Sequence, residues 1–245
     1  MILLFTDFGS DGPYLGQIEA ILCRKAPDTH VIRLLNDAPT TKPELAGYLL
    51  AAICREFPPG SVFLAVVDPG VGGERLPIVL KAEGRWFVGP DNDLFNTVAV
   101  QSGNAQWWII DWRPERLSAS FHGRDLFAPV VARLARGEDD QIGRPFPGPE
   151  IGEWPVDLDI VVYVDHYGNA MSGRRYSSEL DGKTILLDGR HPVRQANTFS
   201  DVQPGEPFWY CNSSGLVEVA INMGRADRRF GLQPGSPLSF QDSAR

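Results

Sequence analysis

The feature that most constrains the fold is a change of rhythm at residues 143–155, "GRPFPGPEIGEWP", where prolines and glycines concentrate. Upstream of it, strand-like and helix-like segments alternate. "MILLF" at residues 1–5 is a short apolar run closed by the polar, glycine-bearing turn "TDFGSDGPY", the pattern of a buried central strand. From Leu15 to Ala26 apolar residues recur at helical spacing, Pro27-Asp28 ends the segment, and "HVIRLL" supplies a second strand. The alternation continues through a helix in "ELAGYLLAAICREFP", a strand in "SVFLAVV", a hairpin in "PIVLKAEGRWFVGP" and a helix in "DNDLFNTVAVQSG". A strand in "QWWIID" and a helix in "GRDLFAPVVARLARG" complete it. Downstream, "DLDIVVYVD", "GKTILLDG", "FWYCNSSGLVEVAIN" and "GLQPGSPLSF" read as strands separated by turn signals, with almost no helical periodicity.

These patterns predict an α/β N-terminal domain over residues 1–145, built on a mainly parallel sheet flanked by helices. A linker at about 146–155 and a smaller all-β domain over 156–245 follow. In parallel sheets ligands sit beyond the carboxyl ends of the strands, so residues directly after "MILLFT" and "VFLAVV" face the expected crevice.

The net charge of -8 and the lack of a basic cluster leave no electrostatic footprint for nucleic acid, while a small cationic ligand is compatible with it. Cys23, Cys54 and Cys211 lie far apart without a CxxC pair, which reads as reduced thiols. No metal site is expected, since HxH and HExxH are absent and His30, His166 and His191 have no partner at ligand spacing. No apolar window approaches about 18 residues and no basic leader precedes "MILLF", so a cytoplasmic protein without a membrane span is expected.

Asp7, Asp68 and Asp165 each follow an apolar strand. Each carboxylate has two readings: a cap on a turn or helix, or, for Asp7 and Asp68 on one sheet edge, part of a ligand site in which Asp7 accepts from vicinal ribose hydroxyls. "VVDPGVGGERLPI" (66–78) sets Asp68 and Arg75 on either side of a glycine run that lacks the lysine and Ser/Thr of a phosphate loop. "SASFHGRDLFAP" (118–129) places His122, Arg124 and Asp125 at a turn into a helix. There His122 is either a capping residue or a catalytic one whose tautomer and charge an adjacent Asp68 would set, and Arg124 and Asp125 can simply pair. In the second domain, Tyr167 and Asn169 of "DHYGN", Phe199, and Asn212, Ser213, Ser214 and Glu218 of "NSSGLVEVAIN" supply rings, amides and hydroxyls of the kind an adenine pocket uses.

Taken in order, "TDFGSDGPYLGQIEA", "VVDPGVGGER", "VGPDNDLF", "SFHGRDLFAP", "DHYGN" and "NSSGLVEVAIN" resemble the S-adenosyl-L-methionine (SAM) hydrolases, the adenosine-forming SAM hydroxide adenosyltransferases. The resemblance implies a C-terminal domain that is barrel-like and a homotrimer with SAM held at subunit interfaces. It implies attack of water at ribose C5′ to give adenosine and methionine, with SAM as substrate and no cofactor. The family's catalytic triad falls on Asp68, Arg75 and His122. Its substrate-binding positions fall on Asp7, Phe8, Asn92, Tyr167, Asn169, Phe199, Ser213, Ser214 and Glu218. Related SAM-dependent chlorinating and fluorinating enzymes share the fold, and a halogenase or a non-catalytic SAM/adenosine-binding protein are the alternatives. Two departures stand out: Asp93 replaces the glycine of the usual "PDNG", and Tyr167 replaces a common phenylalanine.

Overall fold

The computed structural model describes residues 1–139 and 142–242. The chain divides into two compact units, Met1–Trp154 and Pro155–Arg245. The first contains β1 (Ile2–Thr6), α1 (Tyr14–Lys25), β2 (Val31–Leu35), α2 (Pro43–Ile53), β3 (Val62–Val66), β4 (Pro77–Ala82) and β5 (Arg85–Pro90). It continues through α3 (Asn96–Gln101), β6 (Gln106–Ile109), α4 (Ala128–Ala135) and β7 (Arg144–Phe146).

The sheet order is β2-β1-β3-β5-β4-β6-β7. Strands β2, β1, β3 and β5 run parallel, whereas β4 pairs antiparallel with β5 and β6, and β6 with β7. The expected mainly parallel sheet is therefore corrected to a mixed one. The cause is local: the Glu83-Gly84 turn, with φ of 48° and 76°, closes a tight hairpin, and the chain then keeps adding antiparallel neighbours. The parallel half positions the site. The chain leaves β1 toward β2 on one side and leaves β3 toward β5 on the other, so the crevice of such a sheet opens between the carboxyl ends of β1 and β3.

Every residue of β1 and β3 is buried, as expected for a sheet covered on both faces, and each large apolar side chain so buried is worth about 1.5–3 kcal/mol. Helix α1 buries Leu15, Ile18 and Leu22 at helical spacing and ends before Pro27. Helix α2 starts with Pro43 in its first turn and is buried almost all round, which explains its nearly uninterrupted apolar sequence. The proline- and glycine-rich stretch is tied to the first unit: β7 extends the sheet, and Trp154 stacks on Tyr48 (6.5 Å, 20°) while its indole N–H donates to Thr97 Oγ1 at 3.0 Å.

The second unit holds β8 (Leu158–Val164), β9 (Ala170–Arg175), β10 (Thr184–Leu187), β11 (His191–Gln195), β12 (Pro207–Cys211), β13 (Leu216–Ile221), a short helix α5 (Ala226–Phe230) and β14 (Leu238–Gln241). Its order is β14-β10-β11-β12-β13-β9-β8. A bridge between Ile160 and Pro237 joins the β8 edge to the residues just before β14, so the sheet nearly closes into a barrel. Its core gathers Trp209, Val217, Val219, Ile185 and Val193. Among the described residues, no helix is long and apolar enough to cross a membrane.

Candidate active site

In the first unit the carboxyl ends of the parallel strands carry Asp7 after β1, Asp68 after β3 and Asn92 after β5. Asp68 and Arg75 meet across the glycine loop: Arg75 Nε donates to Asp68 Oδ1 and Oδ2, both at 3.1 Å, and Nη2 donates to Oδ2. The pair is buried, with side-chain exposures of 10% and 4%. The same Nη2 lies 2.9 Å from His122 Nδ1. A guanidinium has donors only, so Nδ1 must accept, and the neutral ring carries its proton on Nε2. The Arg75 guanidinium also sits 5.4 Å from the centre of the Phe127 ring.

This order of contacts corrects one expectation. Asp68 does not charge the imidazole directly; Arg75 lies between them in the hydrogen-bond chain. Burial lowers the His122 pKa first and the Arg75 charge lowers it further, against the smaller opposing pull of Asp68. The imidazole is held neutral.

Two local features bring His122 to Arg75. Gly72 has φ 80°, and a Cβ there would collide with the Ala119 carbonyl, so only glycine lets the Asp68–Arg75 loop close against the segment leading to His122. His122 itself precedes a π turn, Gly123–Phe127, in which the Ala128 N–H reaches the Gly123 carbonyl. Pro129 follows; it cannot donate to the carbonyl four residues back, and its ring would crowd that carbonyl, so a widened turn fits the sequence. Arg124 and Asp125 pair with each other at 2.6 and 2.9 Å, Asp125 accepts from the Ser118 N–H at 2.9 Å, and Arg124 reaches Gln17 at 2.8 Å. Both therefore brace the turn.

Asp7 accepts from the Thr41 N–H at 3.4 Å, and Thr41 adopts the left-handed φ of 61°, unusual for a β-branched residue. Burial raises the Asp7 pKa, with the Thr41 hydrogen bond opposing and the charge of Asp68 adding a little. Phe8 joins Tyr14 and Phe121 in an aromatic cluster, with ring centres 5.3–6.0 Å apart. Asn92 donates to the Val67 carbonyl at 2.8 Å, while its buried Oδ1 has no partner among the described residues. Asp93 takes φ 76°, the conformation that favours glycine, and its carboxylate accepts from the Asn96 side chain at 2.8 Å. The turn into α3 therefore persists with aspartate in the glycine's place.

The second unit contains a cavity of about 730 Å³ lined by Tyr167, Asn169, Phe199, Ser213, Ser214 and Glu218, all six positions singled out from sequence. Tyr167 is 72% exposed at its rim. Sequence reasoning missed Tyr210, Met171, Met223 and Arg225, which also line it. Tyr210 lies within β12, where strand alternation alone does not say which face meets a ligand. Asp165 is tied to Asn169 through the backbone N–H at 2.8 Å and the side-chain amide at 3.1 Å, and Arg225 is held by Asp227. Glu218, 2% exposed, accepts from Tyr210 Oη at 2.6 Å and Asn212 Nδ2 at 2.8 Å. Burial raises its pKa, those two bonds oppose the shift, the Asp165 charge adds to it, and a hydrogen bond from the Asn169 side chain opposes it a little further. Among the described residues, no three His, Cys, Asp or Glu side chains are grouped to hold a metal ion.

Comparison with known proteins places this geometry in a family. The model of the SAM hydroxide adenosyltransferase N-terminal domain matches residues 2–143, and that of its C-terminal domain matches residues 159–239. The chain belongs to the SAM hydroxide adenosyltransferase family. Similar family members include the (R)-S-adenosyl-L-methionine hydrolase of Thermus thermophilus, 34% identical over 97% of this chain and 98% of that protein. The enzyme of the same name from Salinispora tropica is 35% identical over 95% and 94% of the two chains. A fluorinase of Actinopolyspora mzabensis is more distant, at 23% identity over 96% of this chain and 95% of its own. The crystal structure of a conserved protein from Thermotoga maritima superposes with a TM-score of 0.90 at 30% identity, covering 98% of this chain and 99% of that one.

Proposed function

We infer that this SAM hydroxide adenosyltransferase family member is a SAM hydrolase that cleaves SAM with water at ribose C5′, giving adenosine and L-methionine. The observation that carries the reading is the buried Arg75 guanidinium bonded at once to the Asp68 carboxylate and to His122 Nδ1. A sulfonium leaves as a neutral thioether without protonation, so the site's work is to hold a water in line with the C5′–S bond and to favour its hydroxide form. Arg75 supplies the positive charge for that. His122, neutral with Nδ1 occupied, offers its Nε2–H as a donor that orients the attacking oxygen, and Asp68 is the anionic acceptor to which the proton passes.

Asp7 is suited to the ribose hydroxyls, with Phe8 and Asn92 beside the reacting end. Tyr167, Asn169, Phe199, Ser213 and Ser214 are suited to the adenosyl and methionine groups. The (R) configuration in the relatives' names is the finer expectation for the sulfonium centre. A homotrimer with sites between subunits, a cytoplasmic location and independence from any cofactor complete the proposal.

The test is incubation with SAM in oxygen-labelled water, with and without chloride. Label in the adenosine 5′-hydroxyl is expected. Formation of 5′-chloro-5′-deoxyadenosine would replace the hydrolase reading with the halogenase one, and tight binding without turnover would make the protein a SAM-binding module.

A further inference from the structure

The cavity of the second unit contains a hydrogen-bond chain whose directions are forced one after another. Asn212 Oδ1 accepts from the backbone N–H groups of Ser214 and Leu216, each at 3.0 Å. That oxygen is committed, so the amide nitrogen of Asn212 must point the other way, where it donates to Glu218 Oε2 at 2.8 Å. The other carboxylate oxygen accepts from the Tyr210 hydroxyl at 2.6 Å. These two donors, joined by the Asn169 side chain, converge on a side chain that is 2% exposed, and a carboxylate, which accepts only, satisfies them.

Both oxygens of Glu218 already have protein partners, whereas Ser213 and Ser214, carried on the turn that Asn212 closes, line the cavity with Tyr210. We propose that Glu218 is a positioning residue: through Asn212 it holds the Ser213–Ser214 turn in its ligand-binding shape, and through Tyr210 it fixes the direction of the hydroxyl on the cavity wall. The proposal rests on the SAM-hydrolase reading for its ligand.

This order of donors and acceptors predicts a reversal. Glu218→Gln leaves one amide oxygen for two donors: turned toward Asn212 it sets its amide nitrogen on the Tyr210 hydroxyl and reverses that hydroxyl, and turned toward Tyr210 it opposes the amide nitrogen of Asn212, while Asn212→Asp sets a carboxylate against a carboxylate. The double variant Asn212→Asp/Glu218→Gln restores the bonds among positions 210, 212, 214 and 216 with one direction inverted: the new carboxylate accepts from the two backbone N–H groups and from the new amide, whose carbonyl accepts from Tyr210. Overall charge is unchanged.

The experiment measures kcat and KM for SAM, adenosine affinity by calorimetry, and melting temperature for the wild type, the two single variants and the double variant. Each single variant is expected to raise KM and the adenosine Kd about tenfold or more, with kcat within about threefold of the wild type, and the double variant to recover most of the loss. If a single variant does not fold, the double variant still decides, because it is expected to fold and bind. Single variants with unchanged affinity, or a double variant no better than the singles, would overturn the proposal. Wild-type protein that binds adenosine but turns over no SAM would overturn the functional reading alone; wild-type protein that binds neither would overturn both.

Discussion

At the scale of single residues, the bonding order Asp68–Arg75–His122 separates two roles that the same three residue types could have taken. If His122 serves as a donor through Nε2, His122→Gln, which keeps an acceptor and a donor on one side chain, should retain at least about tenfold more kcat than His122→Ala. Equal losses would instead favour proton uptake by the ring. Asp68→Asn should lower kcat by about 10²-fold or more, since it removes both the proton acceptor and the partner that fixes Arg75. The pH dependence has a defined sign. Burial and Arg75 lower the folded-state pKa of His122 below its ordinary value near 6.5, so the neutral ring and its share of stability are present above that value. Both are lost as the pH falls through the lowered pKa, which puts the acid limb of kcat below the usual histidine range. Asp7 behaves oppositely: its raised pKa means that its ionised form costs stability as the pH rises. Asp7→Asn should therefore melt higher than the wild type at neutral pH while its KM for SAM increases, measured by calorimetry and steady-state kinetics.

At the scale of elements, glycine and proline chemistry decides where the catalytic side chains go. Gly72→Ala is expected to push the Asp68–Arg75 loop off the Ala119 carbonyl, lowering both melting temperature and kcat, whereas Gly103→Ala meets nothing and should change neither. A structure of Gly72→Ala in which Arg75 still reached His122 would refute this. Much of this level was legible in the sequence: the fully buried β1 and β3 announced themselves as apolar runs, and α1 by its periodicity. Strands β9 ("AMSGRR") and β11 ("HPVRQ") are not legible in the sequence because they are short and largely polar, so neither run carries an apolar alternation. Helix α3 begins at Asn96, later than its sequence pattern suggested, because Asp93 turns left-handed before it. The Asp68–Arg75 pairing could be guessed from the loop. The interposition of Arg75 between Asp68 and His122 could not, because hydrogen-bond order depends on side-chain placement that spacing does not encode.

At the scale of the whole molecule, the proposed homotrimer makes a quantitative prediction. If each site is shared between neighbouring copies, with Asp68 from one and Asn169 from the other, copies inactivated at Asp68 and copies inactivated at Asn169 should complement when co-assembled. Random mixing gives about a quarter of the sites two intact halves, so about a quarter of wild-type activity should return. Mixed assemblies as inactive as their parents would argue for sites made within one chain. The second unit also has a history written into its topology. Its first strand, β8, is bridged at Ile160 to Pro237, and β10 pairs with β14, so residues near the end of the described chain close a sheet begun almost eighty residues earlier. During synthesis the first unit can complete its sheet while the second still exposes two open edges, which cannot be sealed until residues 235–241 leave the ribosome. A nascent chain stalled before residue 235 should thus be protease-resistant through its first unit and bound by chaperones at its second.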